Sequence, residues 1–367
     1  MCSKKYAVLV SNYPTNEHPN VFGFVHSRVR AYVNYGLEVD VYRISDKTYS
    51  YEFENISVKC GPEDYIKDCL KGDWYALILI HFLDKKKINI VEDKKCMIWV
   101  HGFEALSWKR RLYNINPRLP LYIIENTKQL NNFRKYAMTH PQSMFIFVSD
   151  WMYNITCADI KYKIANHRII HNYIDSTIFS FHEKNRDDAK NILLIRNFEN
   201  RKYANDISIK FILALSKKEY FPKLQFTIYG EGKYFGKLTK KISRFSNVEI
   251  NNHFITQHEI SEIQKSHGVF LCPTRQDAQG VSMCEAMSSG LVPITSMNTA
   301  IPEFVKENVE GFLCENRKLS SFVTAYESML SDTTRFKTMS FAASTRVQRQ
   351  CSIENTILKE IELMQSI

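Results

Sequence analysis

Short apolar runs alternate with stretches in which apolar side chains recur at helical spacing, and this rhythm passes through the chain twice. Lys5 to Ser11 reads as a strand, and Asn12 to Asn20 as a turn-rich loop. From Val21 to Tyr35 the residues Phe22, Val25, Val29, Tyr32 and Val33 share one side, the mark of a helix with one buried face. Gly36 stops that helix, and Glu38 to Tyr42 is the next strand. Further strands are predicted at Tyr75–His81, Met97–Val100, Phe145–Val148 and Arg168–His171, with a helix opening at Asp150. Continuous apolar runs of this length fit strands covered on both faces, as in a parallel sheet.

Between Phe179 and Asn191 the chain turns polar, which makes this the expected linker. The alternation then restarts. Strands are predicted at Asn191–Arg196, Leu224–Tyr229 and Val248–Asn251, and helices at Ala204–Ser216, Tyr234–Phe245 and Gln257–Lys265. The pattern therefore predicts an α/β chain of two Rossmann-like domains, residues 1–180 and 181–350. Residues 351–367 are expected to form a final helix, with Ile353, Ile357, Ile361 and Met364 along one face, packing back on the body.

One stretch of the second half carries chemistry. Gly268 to Cys272 and Leu291 to Thr295 are apolar runs. Between them lie a polar loop with Asp277 and a short helix, Val281 to Ser289, that carries Glu285 and ends at Gly290. A loop in this position opens at the carboxyl edge of a parallel sheet, and the helix behind it directs backbone N–H groups outward. An anion is the natural guest. Gly280 permits close approach, and Val281 and Ser282 supply the first N–H groups of the helix.

The net charge of +10 favours an anionic partner without choosing among nucleotide, nucleic acid and membrane surface. Nine cysteines are scattered with no C-x-x-C pair, the usage of reduced thiols in a cytoplasmic protein. No metal-ligand spacing is present, and no apolar run is long enough to cross a bilayer. Ser107 to Tyr113 places Lys109, Arg110 and Arg111 beside Trp108 and Tyr113, a composition suited to an anionic membrane surface. A solvated helix face beside a buried aromatic accounts for it equally well.

Taken together, Asp277 and Glu285 with Gly280, the following Glu-Ala-Met-x-x-Gly, and Pro302-Glu303 resemble the donor-site signature of glycosyltransferase family 4. Arg196 to Lys202 lies where that family has an Arg…Lys pair, and Gly230-Glu-Gly232 matches its G-x-G. His101-Gly-Phe-Glu104, Asn12-Tyr-Pro14 and Phe24-Val-His-x-Arg28 resemble a subset acting in bacterial surface-polysaccharide assembly. The resemblance implies a GT-B fold, two facing Rossmann-like domains with the active site in the cleft between them. It implies a retaining, metal-independent hexosyl or N-acetylhexosaminyl transferase with no cofactor. Its donor would be a nucleotide sugar (UDP favoured, GDP the alternative) and its acceptor a saccharide or lipid-linked saccharide.

By the same resemblance, Arg196 and Lys202 supply countercharge to the diphosphate, with Arg201 the competitor for the place of Lys202. Glu285 accepts from the ribose hydroxyls, Asp277 faces the sugar, and Gly230, Phe254, Gly280, Val281 and Ser282 complete the donor site. His101 hydrogen-bonds the sugar or a developing charge, His26 and Arg28 meet the acceptor, and Glu104 either orients His101 or meets the acceptor. The family usually has Glu where this chain has Asp277, one methylene shorter. The expected location is the cytoplasm, with peripheral contact at the inner membrane. The rival readings are another GT-B enzyme, such as a nucleotide-sugar epimerase, and a basic nucleic-acid-binding protein. The latter lacks a basic stripe or a recognised RNA motif, so no nucleic-acid partner is expected.

Overall fold

The computed structural model describes residues 4–19, 21–92, 94–114 and 117–367. It divides into two compact units, Met1–Tyr173 with Ile353–Ile367, and Ile174–Ser352.

The first unit is built on eight strands: β1 Lys5–Val10, β2 Glu38–Ile44, β3 Tyr49–Phe53, β4 Ile56–Gly61, β5 Leu77–His81, β6 Cys96–Val100, β7 Met144–Phe147 and β8 His167–Ile169. Their order in the sheet is β3-β4-β2-β1-β5-β6-β7-β8. Every neighbouring pair is parallel except β3 and β4. The helices are α1 Gly23–Asn34, α2 Glu63–Cys69, α3 Lys85–Val91, α4 Leu119–Thr139 and α5 Asp150–Ile160. Val25, Val29 and Tyr32 of α1 enter the core beside Val8, Leu79 and Trp99. The β3–β4 hairpin is absent from the apolar pattern because Tyr49, Ser50 and Glu52 lie exposed on the edge strand.

The second unit has six strands: β9 Asn191–Ile195, β10 Gln225–Tyr229, β11 Val248–Asn251, β12 Val269–Cys272, β13 Val292–Ser296 and β14 Phe312–Cys314. The order is β11-β10-β9-β12-β13-β14, all parallel. Its helices are α6 Asn205–Leu215, α7 Phe235–Thr239, α8 Gln257–Lys265, α9 Val281–Ser288, α10 Ile301–Phe304, α11 Leu319–Leu330 and α12 Thr333–Gln350. The helix expected to run from Tyr234 to Phe245 is shorter, with turns after Thr239. Leaving aside the antiparallel edge strand β3, the strand order of each sheet reverses direction once, between β1 and β5 and between β9 and β12. Loops leaving the carboxyl ends of strands at such a reversal part to opposite sides and leave a crevice.

The boundary between units falls at Tyr173/Ile174, seven residues before the expected one. The reason is local pairing. Ser261 Oγ donates to the Ile178 carbonyl at 2.5 Å and Ser288 Oγ to that of Phe179 at 2.6 Å, which fastens 174–180 to the second unit. The polar stretch that follows is no loose linker either. Lys184 is buried, and its ammonium donates to the Gln264 and Lys265 carbonyls at the end of α8. Burial holds that ammonium down at about 8.

The last helix, α13 Ile357–Ser366, returns to the first unit. Ile357, Ile361 and Met364 join its core. Glu360, fully buried, accepts from Arg28 Nε at 3.0 Å on both oxygens, from Trp99 Nε1 at 2.8 Å, and from the Tyr32 hydroxyl. A buried carboxylate needs this density of donors, and together they fix the register of α13 on the sheet.

Candidate active site

At the β9/β12 reversal of the second unit, Arg196 follows β9 and the loop 273–280 follows β12. Arg196 is buried. Its Nη1 donates to Ser282 Oγ in the first turn of α9 at 2.7 Å and its Nη2 to the Cys272 carbonyl at 3.3 Å. Its guanidinium lies over the rings of Tyr203 and Phe270, at 5.2 and 5.6 Å. The cation is thereby stacked, aimed and joined to the helix N-terminus, where N–H groups and charge act in the same sense.

Glu285 lies one turn further along α9, 8% exposed. Burial raises its carboxyl from the ordinary 4.5 to about 7, against a hydrogen bond from Gln257 Nε2 at 3.1 Å and the charge of Arg196, which both lower it. Gln257, the first residue of α8, had no sequence signal of its own. Its pairing with Glu285 exists only after β12 places α9 beside α8.

Asp277 is half-buried and turned onto its own loop. Its Oδ1 accepts from the Gly280 N–H at 3.0 Å, its N–H donates to Thr299 Oγ1 at 3.0 Å, and its carbonyl accepts from Ala300 N at 3.3 Å. A carboxylate three residues before the N–H it accepts closes a tight turn, and the short Asp side chain suits that span. Gly280 caps α9 at φ 82°, in the left-handed region where glycine is at ease. Val281 and Ser282 follow, half-buried.

Lys202 belongs to the same wall. Its carbonyl accepts from Arg275 N at 2.7 Å, and its ammonium lies 5.0 Å from the Tyr203 ring. Arg275 in turn pairs with Asp206 at 2.8 Å. The glycine pair has a steric basis: a Cβ on Gly230 would stand 2.0 Å from the Arg196 carbonyl, and one on Gly232 2.2 Å from the Glu199 N. Only glycine lets the loop after β10 lie against the loop that carries Arg196. Phe254 is half-buried in the segment before α8, next to His253, whose ring meets Tyr229 edge-on.

In the first unit, His101 follows β6 and is half-buried. Its Nε2 lies 2.9 Å from His81 Nδ1, and the rings of Phe24 and Phe82 lie 4.8 and 4.7 Å away. Burial and the nearby charge of Arg28 hold His101 well below the usual imidazole range. His26 and Arg28, expected to meet an acceptor, and Glu104, expected either to do so or to orient His101, all have internal partners. His26 is buried between Tyr13 (2.8 Å at Nδ1) and Glu54 (3.0 Å at Nε2), so both ring nitrogens are engaged. Arg28 is fully buried in its pair with Glu360. Glu104, also fully buried, turns back to accept from the His101 N–H at 2.6 Å and the Gly102 N–H at 3.0 Å. It shapes the loop that presents His101. The resemblance placed His26 and Arg28 on the first helix and Glu104 in the loop after β6, but left open which side of the surface their side chains take.

Among the described residues no group of three or more His, Cys, Asp and Glu side chains is arranged to hold a metal, and no helix is long and apolar enough to cross a membrane.

Residues 175–346 match the family model described as glycosyl transferases group 1. Over 123 residues the chain is 28% identical to a sulfoquinovosyl transferase of Arabidopsis thaliana, covering 33% of this chain and 24% of that protein. It is 25% identical over 138 residues to an uncharacterized glycosyltransferase of Haemophilus influenzae, covering 37% and 38%. The chain thus spans about a quarter and about two fifths of these curated relatives. Among solved structures it is similar to a sucrose-phosphate synthase from Thermosynechococcus elongatus (TM-score 0.78, 14% identity, 99% and 98% of the two chains). It is also similar to the Anabaena protein HepE in complex with UDP-glucose (TM-score 0.74, 13% identity, 99% and 100%).

Proposed function

We propose that this chain, a GT-B protein whose second unit belongs to the glycosyl transferases group 1 family, transfers a sugar from a nucleotide-sugar donor to a saccharide acceptor. One observation carries the reading: Arg196, Ser282 and Glu285 converge at the reversal point of the second sheet, on the N-terminal turns of α9. A diphosphate needs fixed positive charge and N–H donors as the leaving group gains charge, and this corner supplies both. Glu285 accepts from the ribose hydroxyls, Lys202 adds the second cation and Asp277 holds the loop that faces the sugar. His101 is the hydrogen-bonding group for the sugar.

The favoured donor is a UDP-hexose or UDP-N-acetylhexosamine, supported by the likeness to HepE, which is solved with UDP-glucose. Retention by same-face attack, in which the leaving phosphate oxygen takes the acceptor's proton, is part of the proposal, as is an acceptor in bacterial surface-polysaccharide assembly. Both rest on the motifs around His101 and Asp277. A lipid-linked acceptor held at an anionic bilayer would account for the basic and apolar surface of the turns at residues 108–114 and of α4.

The test is a thermal-shift screen with UDP, GDP and their sugars, followed by transfer assays with product anomers read by NMR. UDP and its sugars are expected to raise the melting temperature of the wild type, with Glu285→Ala and Lys202→Ala abolishing transfer while the fold is kept. Full activity in both variants would remove the site, and an inverted product would remove retention.

A further inference from the structure

The His101 ring is not alone at its strand end. His81 closes β5 and is paired in register with Trp99 of β6. It is buried, stacks on Trp99 with centroids 4.8 Å apart, and lies 5.2 Å from the His101 ring with the two planes only 19° apart. Near-coplanar rings with Nδ1 of one 2.9 Å from Nε2 of the other have the geometry of an in-plane hydrogen bond, because the imidazole lone pair and N–H both lie in the ring plane.

We propose that His81 is a positioning residue for His101: their shared hydrogen bond engages His101 Nε2, fixes its tautomer and ring plane, and leaves Nδ1 to meet substrate. This rests on the reading of His101 as the group that hydrogen-bonds the sugar. Nδ1 of His101 meets no polar partner among the described residues. One bond between two neutral imidazoles holds one proton, so the tautomer of either ring dictates that of the other.

Burial first, and then the charges around the pair, keep both rings neutral. Arg28 of α1 and Lys87 of α3 face His81 and disfavour a second proton, and Arg28 acts the same way on His101. Arg28 is itself paired with Glu360 of α13 and Lys87 with Asp84. Glu104 spends its carboxylate on the backbone N–H groups of His101 and Gly102. Among the described residues, therefore, no carboxylate touches either ring to favour imidazolium. His101 works as a neutral, oriented hydrogen-bonding group.

Two variants separate this role from packing. His81→Phe keeps an aromatic ring against Trp99 and removes the hydrogen bond. His81→Asn places an amide where Nδ1 stood. The readout is the side-chain nitrogen NMR signals of His101, assigned with His101→Gln, between about pH 5.5 and 8, beside turnover of UDP-glucose. The wild type is expected to show one neutral tautomer across that range. His81→Phe is expected to show mixed tautomers and a titration within it, with kcat down roughly tenfold or more and KM for UDP-glucose little changed. His81→Asn is expected to restore the single tautomer and most of the rate. Unchanged His101 signals in His81→Phe overturn the proposal, as does a loss in both variants alike. A wild type that binds no UDP-glucose counts against the donor reading alone, since the NMR signals still decide the role of His81.

Discussion

Glu285 shows how much one side chain's surroundings change its chemistry. In the sequence it is a helix carboxylate like many others. In the structure its carboxyl stands at about 7 because burial outweighs Gln257 and Arg196. A carboxyl whose folded value lies above the unfolded one contributes stability below about pH 4.5 that is lost as pH rises through 7. Glu285→Gln is thus expected to gain stability relative to wild type as pH rises from 5 to 8, by up to about 3 kcal/mol at the upper end. Urea unfolding at the two pH values checks this, and a variant that falls behind wild type at pH 8 would contradict the buried-carboxyl account. Asp277 illustrates the converse. Its charge and spacing were legible, but its hydrogen bond to the Gly280 N–H, which suits the shorter side chain, was not.

At the scale of elements, the basic aromatic segment changed character. Arg110 is held by Asp159 at 2.7 and 2.8 Å, Arg111 donates to the Tyr122 hydroxyl at 3.1 Å, and Trp108 is half-buried. The exposed apolar side chains are instead Phe103, Leu112, Leu121 and Ile124, the last two three residues apart on α4. Lys109, Arg118 and Lys128 are exposed on the same elements. This pairing of apolar and basic side chains suits an anionic bilayer surface. The chain is expected to co-sediment at low salt with vesicles containing phosphatidylglycerol and not with neutral ones. Leu121→Asp with Ile124→Asp is expected to abolish that binding without lowering the melting temperature. Equal recovery with neutral vesicles would exclude the idea.

At the scale of the whole molecule, the two units differ in how the chain builds them. The second is one continuous segment, whereas the first is completed by α13. Residues 174–352 are therefore expected to fold alone and to keep nucleotide binding. A chain ending at Ser352 strands the Arg28 guanidinium in the first unit without Glu360. Glu360→Ala alone is expected to cost that unit about 3–5 kcal/mol, the usual penalty for an unpaired buried charge. Chemical denaturation followed by tryptophan fluorescence, all four tryptophans lying in the first unit, and by that of a nucleotide analogue separates the two units. A first unit unaffected by Glu360→Ala would refute the role of the pair.

The sequence by itself determined the alternation of strand and helix, because apolar periodicity is a local property that burial on a sheet imposes directly. It also determined the strand-end segments that carry Arg196, Lys202, Asp277, Glu285 and His101, since glycines and polar loops mark where strands stop. It left out the β3–β4 hairpin, the unit boundary at Tyr173/Ile174 and the partners of most site residues. Those depend on which strands become neighbours, and strand order is a long-range outcome. Only the tertiary structure turned His26, Arg28 and Glu104 inward, because each finds a partner elsewhere along the chain or in its own loop. Only it brought His81, twenty residues from His101, to within a hydrogen bond, because β5 and β6 lie side by side in the sheet.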